Sequence, residues 1–396
     1  MREDIKKLLG LQSILIDSWE ITEKEVRVCV RSPRTHCVCP RCQESSKKVH
    51  QHHTRRVRHS IWQDKQVILL VKKRRFFCSV CTKPFSENLE GIDRKSTTTN
   101  FRTMLKKEMS VSSLRSTSIR SGVSFSILYG ALREYSDFTT IDWKEQKDNL
   151  TIGIDEHSFR GKRMALTVTN ITEKKILSIE KDDALETLEK VLESSEKEKI
   201  AEVCIDMKRG FLNTVERVLP KAIVTVDKYH VIAYANQTLD EARSVIVGRS
   251  HNVRRVLFKR SDRHTERDKE KLAFVFEKYK KFPSLYQAWF VKEKVHDFYR
   301  SKDMKEAKKK MKNLILFCEE SDSRYVRGFG KTLIRWRKYI LNHFVRRSTS
   351  AYTEGVHTKI KMIKRMSFGF RNIHNYIAKI MLAFMPFLWI THHTIC

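Results

Sequence analysis

Three acids occupy positions from which a carboxylate could do chemistry. Asp155 ends the stretch Thr151-Ile152-Gly153-Ile154-Asp155. Ile152 and Ile154 alternate with it as in a short buried strand, where successive side chains point to opposite faces. A carboxylate at the open end of such a strand suits a hard cation; the same residue also suits a turn. The neighbouring Glu156 faces the other way in a regular strand. Asp206 ends a second strand-like run, Ala201-Glu202-Val203-Cys204-Ile205. Glu354 opens a basic helix in which Val356, Ile360 and Ile363 form an apolar stripe. His357, Lys361, Lys364 and Arg365 fall on another face of it. An acid leading a row of cations reads as a metal ligand beside a phosphate track, or as an ordinary ion-pair helix.

The cysteines carry a second chemistry. Of nine, four form the knuckles Cys39-Pro40-Arg41-Cys42 and Cys78-Ser79-Val80-Cys81. Two Cys-x-x-Cys turns about 35 residues apart can supply four thiolates to one tetrahedral zinc ion, the closed structural kind of site. The alternative is four free thiols in a reduced protein. Cys37 is a rival for the place of Cys39. His50, His52 and His53 could substitute as ligands, but they read better as surface residues facing phosphate. Lys47, Lys48, Arg55, Arg56, Arg58 and the run Lys72-Lys73-Arg74-Arg75 crowd this module, which suits contact with a DNA backbone more than redox chemistry.

The chain of 396 residues has 79 Lys and Arg against 47 Asp and Glu, a formal charge of +32. Such an excess implies a polyanionic partner and salt-sensitive binding. The start lacks the apolar core of a signal peptide, and no apolar run reaches membrane-spanning length. The best candidate, Ile377 to Ile390, is broken by Lys379 and Pro386 and reads as a buried C-terminal helix. A cytoplasmic protein without a membrane partner is expected.

These residues must be positioned by several domains, so the fold class expected is α+β and multidomain. Residues 1–92 form a small zinc-binding module that contacts DNA. A polar stretch at 93–100 links it to three helices between Phe101 and Ser136, within a domain at 93–140. There Gly122 supplies a turn, Val123 a buried turn residue and Ser124 an N-cap, the pattern of a helix-turn-helix or of a plain helical hairpin. Leu128 and Leu132 face inward; Phe125, Ser126, Tyr129 and Arg133 are left for a major groove, with Arg120 on the preceding helix. Residues 150–235 give strand, strand, strand, helix, strand, helix, strand. That is the order of an RNase H-like α/β core, in which Asp155 and Asp206 stand side by side. An all-helical insertion at 236–345 interrupts this core, which resumes at 346–396 with the last acid.

Taken in order, the two knuckles, the helix-turn-helix, Gly153-Ile154-Asp155-Glu156, Ile205-Asp206-Met207, Asp227-Lys228-Tyr229-His230 with Asn236 following, and Thr353-Glu354-Gly355 resemble one family. So do Ile360 to Arg365 and Phe368-Gly369-Phe370-Arg371-Asn372. The chain looks like a bacterial insertion-sequence DDE transposase of the ISL3 family, from about Cys37 to Leu382. It departs from the family at Gln43, usually Gly, and at His357, usually Asn. The resemblance implies a catalytic triad of Asp155, Asp206 and Glu354 holding Mg²⁺ or Mn²⁺, and structural Zn²⁺ on Cys39, Cys42, Cys78 and Cys81. It assigns Asp227 and His230 to a further motif of accessory role, beside His357. Arg120, Ser126, Tyr129, Lys361, Lys364 and Arg365 are expected on double-stranded DNA, at transposon ends and target, with a homodimer or larger assembly pairing the ends. The activity implied is metal-dependent strand cleavage followed by strand transfer. The rival classes are a catalytically inactive DNA-binding protein and an RNase H-like nuclease that cuts without joining.

Overall fold

The computed structural model describes residues 2–136, 143–248 and 250–384. The chain divides into two compact units, Met1–Thr139 with Met362–Cys396, and Thr140–Lys361.

The first unit opens with α1 (Arg2–Leu9), β1 (Leu15–Ile21) and β2 (Glu25–Arg31), followed by the two-residue strands β3 (Cys37–Val38) and β4 (Ser45–Ser46). Then comes a long hairpin, β5 (Val49–Trp62) and β6 (Lys65–Cys78), and the short β7 (Lys83–Ser86). The sheet order is β1-β2-β6-β5, with β7 also on β6. β2 and β6 run parallel, with Val26 opposite Val67 and Val30 opposite Val71. Alternate apolar residues of β2 and β6 turn to one face and bury Val26, Val28, Val30, Val67, Leu69 and Val71 with Leu9 and Ile14. The other face carries Arg27, Arg31, Lys72 and Arg74, while Lys73 falls on the buried face. Sequence reading found β2 but not the hairpin, because the charged run 72–75 hides the alternation.

Three helices follow as expected: α2 (Thr99–Val111), α3 (Leu114–Ser121) and α4 (Phe125–Ser136). Thr98 and Ser113 cap α2 and α3 through side-chain oxygens that accept from Phe101 and Ser116 backbone N–H groups. Gly122 ends α3 with φ 61°, a left-handed conformation that glycine adopts without a Cβ clash. Val123, Leu128 and Leu132 are buried against Phe101 and Leu105. The polar stretch before α2 is not a free linker. Arg55 donates to the carbonyls of Asp93, Arg94 and Lys95.

In the second unit, β8 (Leu150–Arg160), β9 (Arg163–Asn170) and β10 (Lys175–Ile179) form an antiparallel meander. After α5 (Leu185–Glu193) come β11 (Ile200–Ile205), α6 (Arg209–Val218) and β12 (Ile223–Val226). The sheet order is β10-β9-β8-β11-β12, and β8, β11 and β12 are parallel neighbours. Ile154 stands opposite Ile205, so Asp155 and Asp206 lie at the same level. β11 ends before Asp206, but β8 does not end at Asp155 as its sequence suggests and runs on to Arg160, because β9 continues to pair with it. The chain then becomes helical: α7 (Lys228–Ile246), α8 (His251–Phe258), α9 (Glu266–Lys278), α10 (Pro283–Tyr299), α11 (Met304–Glu319), α12 (Arg324–Leu341) and α13 (His343–Arg346). Their apolar faces join one continuous core with the sheet, through residues such as Leu239, Val291, Phe329 and Trp336.

The expected block 346–396 is divided. The boundary between the units falls inside α14 (Ala351–Met366). α15 (Ile373–Phe384) belongs to the first unit, because Ala378 and Leu382 complete the core of α2 and α4. Buried Lys379 donates to the Met109 carbonyl, which closes the end of α2. The expected helix Ile377 to Ile390 is present as far as Phe384; its remainder lies outside the described residues.

Candidate functional site

The four knuckle sulfurs converge. Cys39, Cys42, Cys78 and Cys81 each offer a sulfur within 4.8 Å of the others. The Cys42 and Cys78 sulfurs are 3.5 Å apart. Tetrahedral zinc with bonds of about 2.3 Å spaces its sulfurs by roughly 3.8 Å, so the donor set fits zinc. The two turns are built alike. Gln43 after the first knuckle and Thr82 after the second have φ 62° and 52°. The glycine common at position 43 in the resembling family would meet that conformation without strain. Backbone N–H groups of Cys42 and Arg41 pull the Cys39 thiol down to about 7, while the Cys42 sulfur helps push Cys81 up to about 12. Cys37 lies on β3 outside the group, and so do the histidines at 50, 52 and 53 on β5.

The acids also converge, though not as a simple triad. Asp155, Asp206 and His230 each present a ligand atom within 4.8 Å of the others. Asp155 comes from the middle of β8, and Asp206 directly follows the last residue of β11. His230 comes from the first turn of α7, which Asp227 caps by accepting the Tyr229 backbone N–H. The His230 Nδ1 to Asp206 Oδ2 distance is 4.0 Å. Two carboxylates and one imidazole fit a divalent cation. Glu354 stands outside this cluster. Burial and the charge of Asp227 raise its carboxyl, with Asp155 adding to the effect. Glu156 is also outside it, ion-paired with Lys208, which reaches Asp183 at 2.9 Å as well.

The two clustered acids are electrostatically unlike. Burial raises Asp206, and the charge of Asp155 adds to this. Burial works to raise Asp155 too, but the hydrogen bond and charge of His357 outweigh it, and Asp155 is lowered. The His357 Nδ1 lies 3.3 Å from Asp155 Oδ2. Its Nε2 meets the Thr167 hydroxyl at 3.1 Å, and the same hydroxyl meets His157 Nδ1 at 2.9 Å. The family's asparagine position is thus filled here by a ring that bridges β9 and the first acid.

α14 is held against the sheet by hydroxyls. The Thr353 and Thr169 hydroxyls lie 2.8 Å apart across the bare backbone of Gly153. A Cβ at Gly153 would stand 2.6 Å from Thr353 Oγ1 and 2.7 Å from Thr169 Oγ1. The segment before α14 is tied by two acids. Ser350 donates to Asp227, and Ser348 donates to Glu202 at 2.5 Å. Glu202 is fully buried on β11 and also accepts from Thr225 at 2.6 Å and Thr151 at 3.3 Å. Sequence reading missed this hydroxyl network, because serines and threonines scattered over 200 residues carry no local pattern.

The residues expected on DNA are dispersed. Ser126 is exposed on α4, and Tyr129 is half-buried. Arg120 is exposed but ion-paired with Glu108. Lys361 and Arg365 are exposed on α14 and Lys364 is half-buried.

Comparison with known proteins agrees with this layout. Residues 152–380, more than half of the chain, match the ISL3 DDE family model described as "Transposase". Residues 35–81 match the zinc finger of transposases IS204, IS1001, IS1096 and IS1165. The transposase for insertion sequence element IS1001 from Bordetella parapertussis is 22% identical over 368 residues, covering 88% of each chain. A DDE-type transposase with a zinc ribbon is the class that the match and the clusters define. The chain belongs to the ISL3 family of transposases. No helix among the described residues is long and apolar enough to cross a membrane.

Proposed function

We propose that this transposase binds the terminal inverted repeats of its own insertion sequence, cuts the DNA there and joins the freed end to target DNA. The observation that carries this is the meeting of Asp155, Asp206 and His230 where the parallel pairing of β8 with β11 stops. The strand order and the antiparallel-then-parallel pattern support an RNase H-like core. The α3–Gly122–α4 geometry supports a helix-turn-helix, with Ser126 and Tyr129 toward DNA bases and Lys361, Lys364 and Arg365 toward phosphates. Arg120 reaches a phosphate by exchanging Glu108 for it.

Asp155, Asp206 and His230 would hold a divalent cation, Mg²⁺ or Mn²⁺, with Glu354 as the further carboxylate supplied by α14. Bound there, the cation supplies Lewis-acid polarisation and charge neutralisation at a phosphodiester. The chain's residues do the rest. His357 fixes the Asp155 carboxylate and keeps it ionised. Asp206 holds a proton more readily and must give it up to act as a ligand, so loading strengthens as pH rises. Glu202 and Asp227 anchor Ser348 and Ser350, which sets the start of α14 and with it Glu354. Water then attacks the phosphodiester at the element's end and releases a 3′-hydroxyl, which attacks target DNA in turn. No covalent protein–DNA bond forms. Pairing of two ends calls for a dimer or larger assembly on DNA.

The test supplies a duplex of the element's end with its 3′-hydroxyl already exposed, together with plasmid and Mg²⁺. Joined product is expected. Cutting of intact ends without joining of exposed ones would make the chain a nuclease. End binding with neither reaction would leave a DNA-binding protein alone.

A further inference from the structure

Within the first unit, α3, α4 and the turn after α14 line one open groove of about 600 Å³. Its walls are aromatic. Phe125 and Tyr129 of α4 have ring centroids 6.3 Å apart, and Phe368 and Phe370 face them from the turn. Phe368 is 88% exposed, more than any other large hydrophobic side chain among the described residues. Its backbone is held at φ 53°, followed by Gly369 at φ 89°. The turn is pinned by the Phe368 N–H donating to Arg365 O at 3.0 Å and the Gly369 N–H donating to Lys364 O at 2.9 Å. A bulky residue in the left-handed region costs on the order of 1–3 kcal/mol. Packing does not offset that cost, since the ring projects into solvent.

The electrostatics of the groove point to its occupant. No acid lines it. Its charged lining residues are Arg115 and Arg371, both exposed and neither paired with a carboxylate among the described residues. Aromatic rings flanked by guanidinium groups stack bases and meet phosphates. A duplex keeps its base faces covered by stacking, so the rings are accessible only to bases that have left a helix.

We propose that this groove binds unpaired nucleotides of single-stranded DNA, with bases stacked on Phe368 and Phe125 and phosphates on Arg115 and Arg371. This rests on the reading that the chain acts on DNA. Phe125 then serves displaced strand rather than major groove, which leaves Ser126 and Tyr129 to the bases of the duplex.

Fluorescence anisotropy of the full zinc-loaded chain with labelled oligothymidine and with a mixed-sequence duplex tests it. Phe368→Ala should weaken oligothymidine binding about fivefold or more, leave duplex affinity within about twofold, and leave the folded chain intact because the ring is solvent-exposed. Phe368→Trp should restore single-strand binding. The proposal is overturned if Phe368→Ala leaves oligothymidine binding unchanged or weakens both DNAs equally. It is also overturned if the substitution acts on self-association in sedimentation, which would make the groove a seat for a second copy. A wild-type chain that binds duplex but not oligothymidine sinks the groove alone; one that binds neither sinks the DNA reading with it.

Discussion

The four-cysteine cluster draws its ligands from two tight turns of like geometry, while the acidic cluster draws them from the middle of one strand, the end of its neighbour and a helix start. In the first, each knuckle presets two sulfurs, and the hairpin β5–β6 has only to bring the knuckles together. In the second, Asp155, Asp206 and His230 are placed by a parallel sheet and the helix after its last strand. Glu354 is placed by a helix that hydroxyl groups hold to that sheet. The cysteine site is therefore a local device that supports its own fold. The acidic site is a product of the fold and has two acids of unlike proton affinity. Ligands preset by short-range turns suit a stabilising metal, whereas ligands gathered from long-range elements suit a cation that must also meet a substrate.

The largest expected break in this comparison is zinc removal. Structural zinc sites of this kind contribute on the order of 10 kcal/mol of folding free energy. Chelation, or Cys39→Ser, should unfold the first unit and abolish DNA binding while the sheet of the second unit keeps its amide protection in hydrogen exchange. Retention of the hairpin's protection without zinc would contradict the structural role.

A smaller effect comes from His59, which burial lowers to about 4. It is buried in the first unit with its Nδ1 3.0 Å from the Thr98 hydroxyl that caps α2. The folded chain keeps this ring neutral, whereas the unfolded chain protonates it near 6.5. Stability is therefore fully present above about 6.5 and falls as pH drops toward 4, by about 3 kcal/mol in all. His59→Gln should flatten that slope in pH-dependent unfolding of the first unit; an unchanged slope would remove His59 from the account.

Next is Gly153→Ala. Overpacking of this kind costs about 1–3 kcal/mol, and here it pushes Thr353, and with it α14, off the sheet. Cleavage should fall more than stability does, because Glu354 rides on the displaced helix. Equal activity in the variant would show that α14 need not lie so close. The smallest effect is expected from Gln43→Gly, which relieves a left-handed φ of 62°. Melting should rise by an amount worth up to about 1 kcal/mol; a lower melting temperature would contradict the reading of that turn.

Much of the second unit was legible in sequence because its pattern is local. Alternating apolar runs before Asp155 and Asp206 marked β8 and β11, and adjacency of those strands placed Asp155 beside Asp206. The continuation of β8 from Asp155 to Arg160 was not legible, because its polar residues hide the pairing with β9. The helical character of 236–345 followed from its charge-dense amphipathic runs. Three further things were not legible. The hairpin β5–β6 was hidden by its cationic outer face. Buried Glu202 looked like an ordinary strand residue, since its three hydroxyl donors come from Thr151, Thr225 and Ser348. The membership of His230 in the cation cluster depends on how α7 leaves β12, which no residue spacing encodes. The division of 346–396 between the units was also unforeseen, because α15 buries its apolar face against helices far away in sequence.

The central claim is that the second-unit cluster is the reactive cation site and is independent of the zinc site. It is tested most directly with Asp155→Asn, by measuring Mn²⁺ binding, zinc content and cleavage of a duplex carrying the element's ends in one preparation. The account predicts unchanged zinc, retained end binding, weakened Mn²⁺ binding and no cleavage. Cleavage that survives the substitution would contradict it.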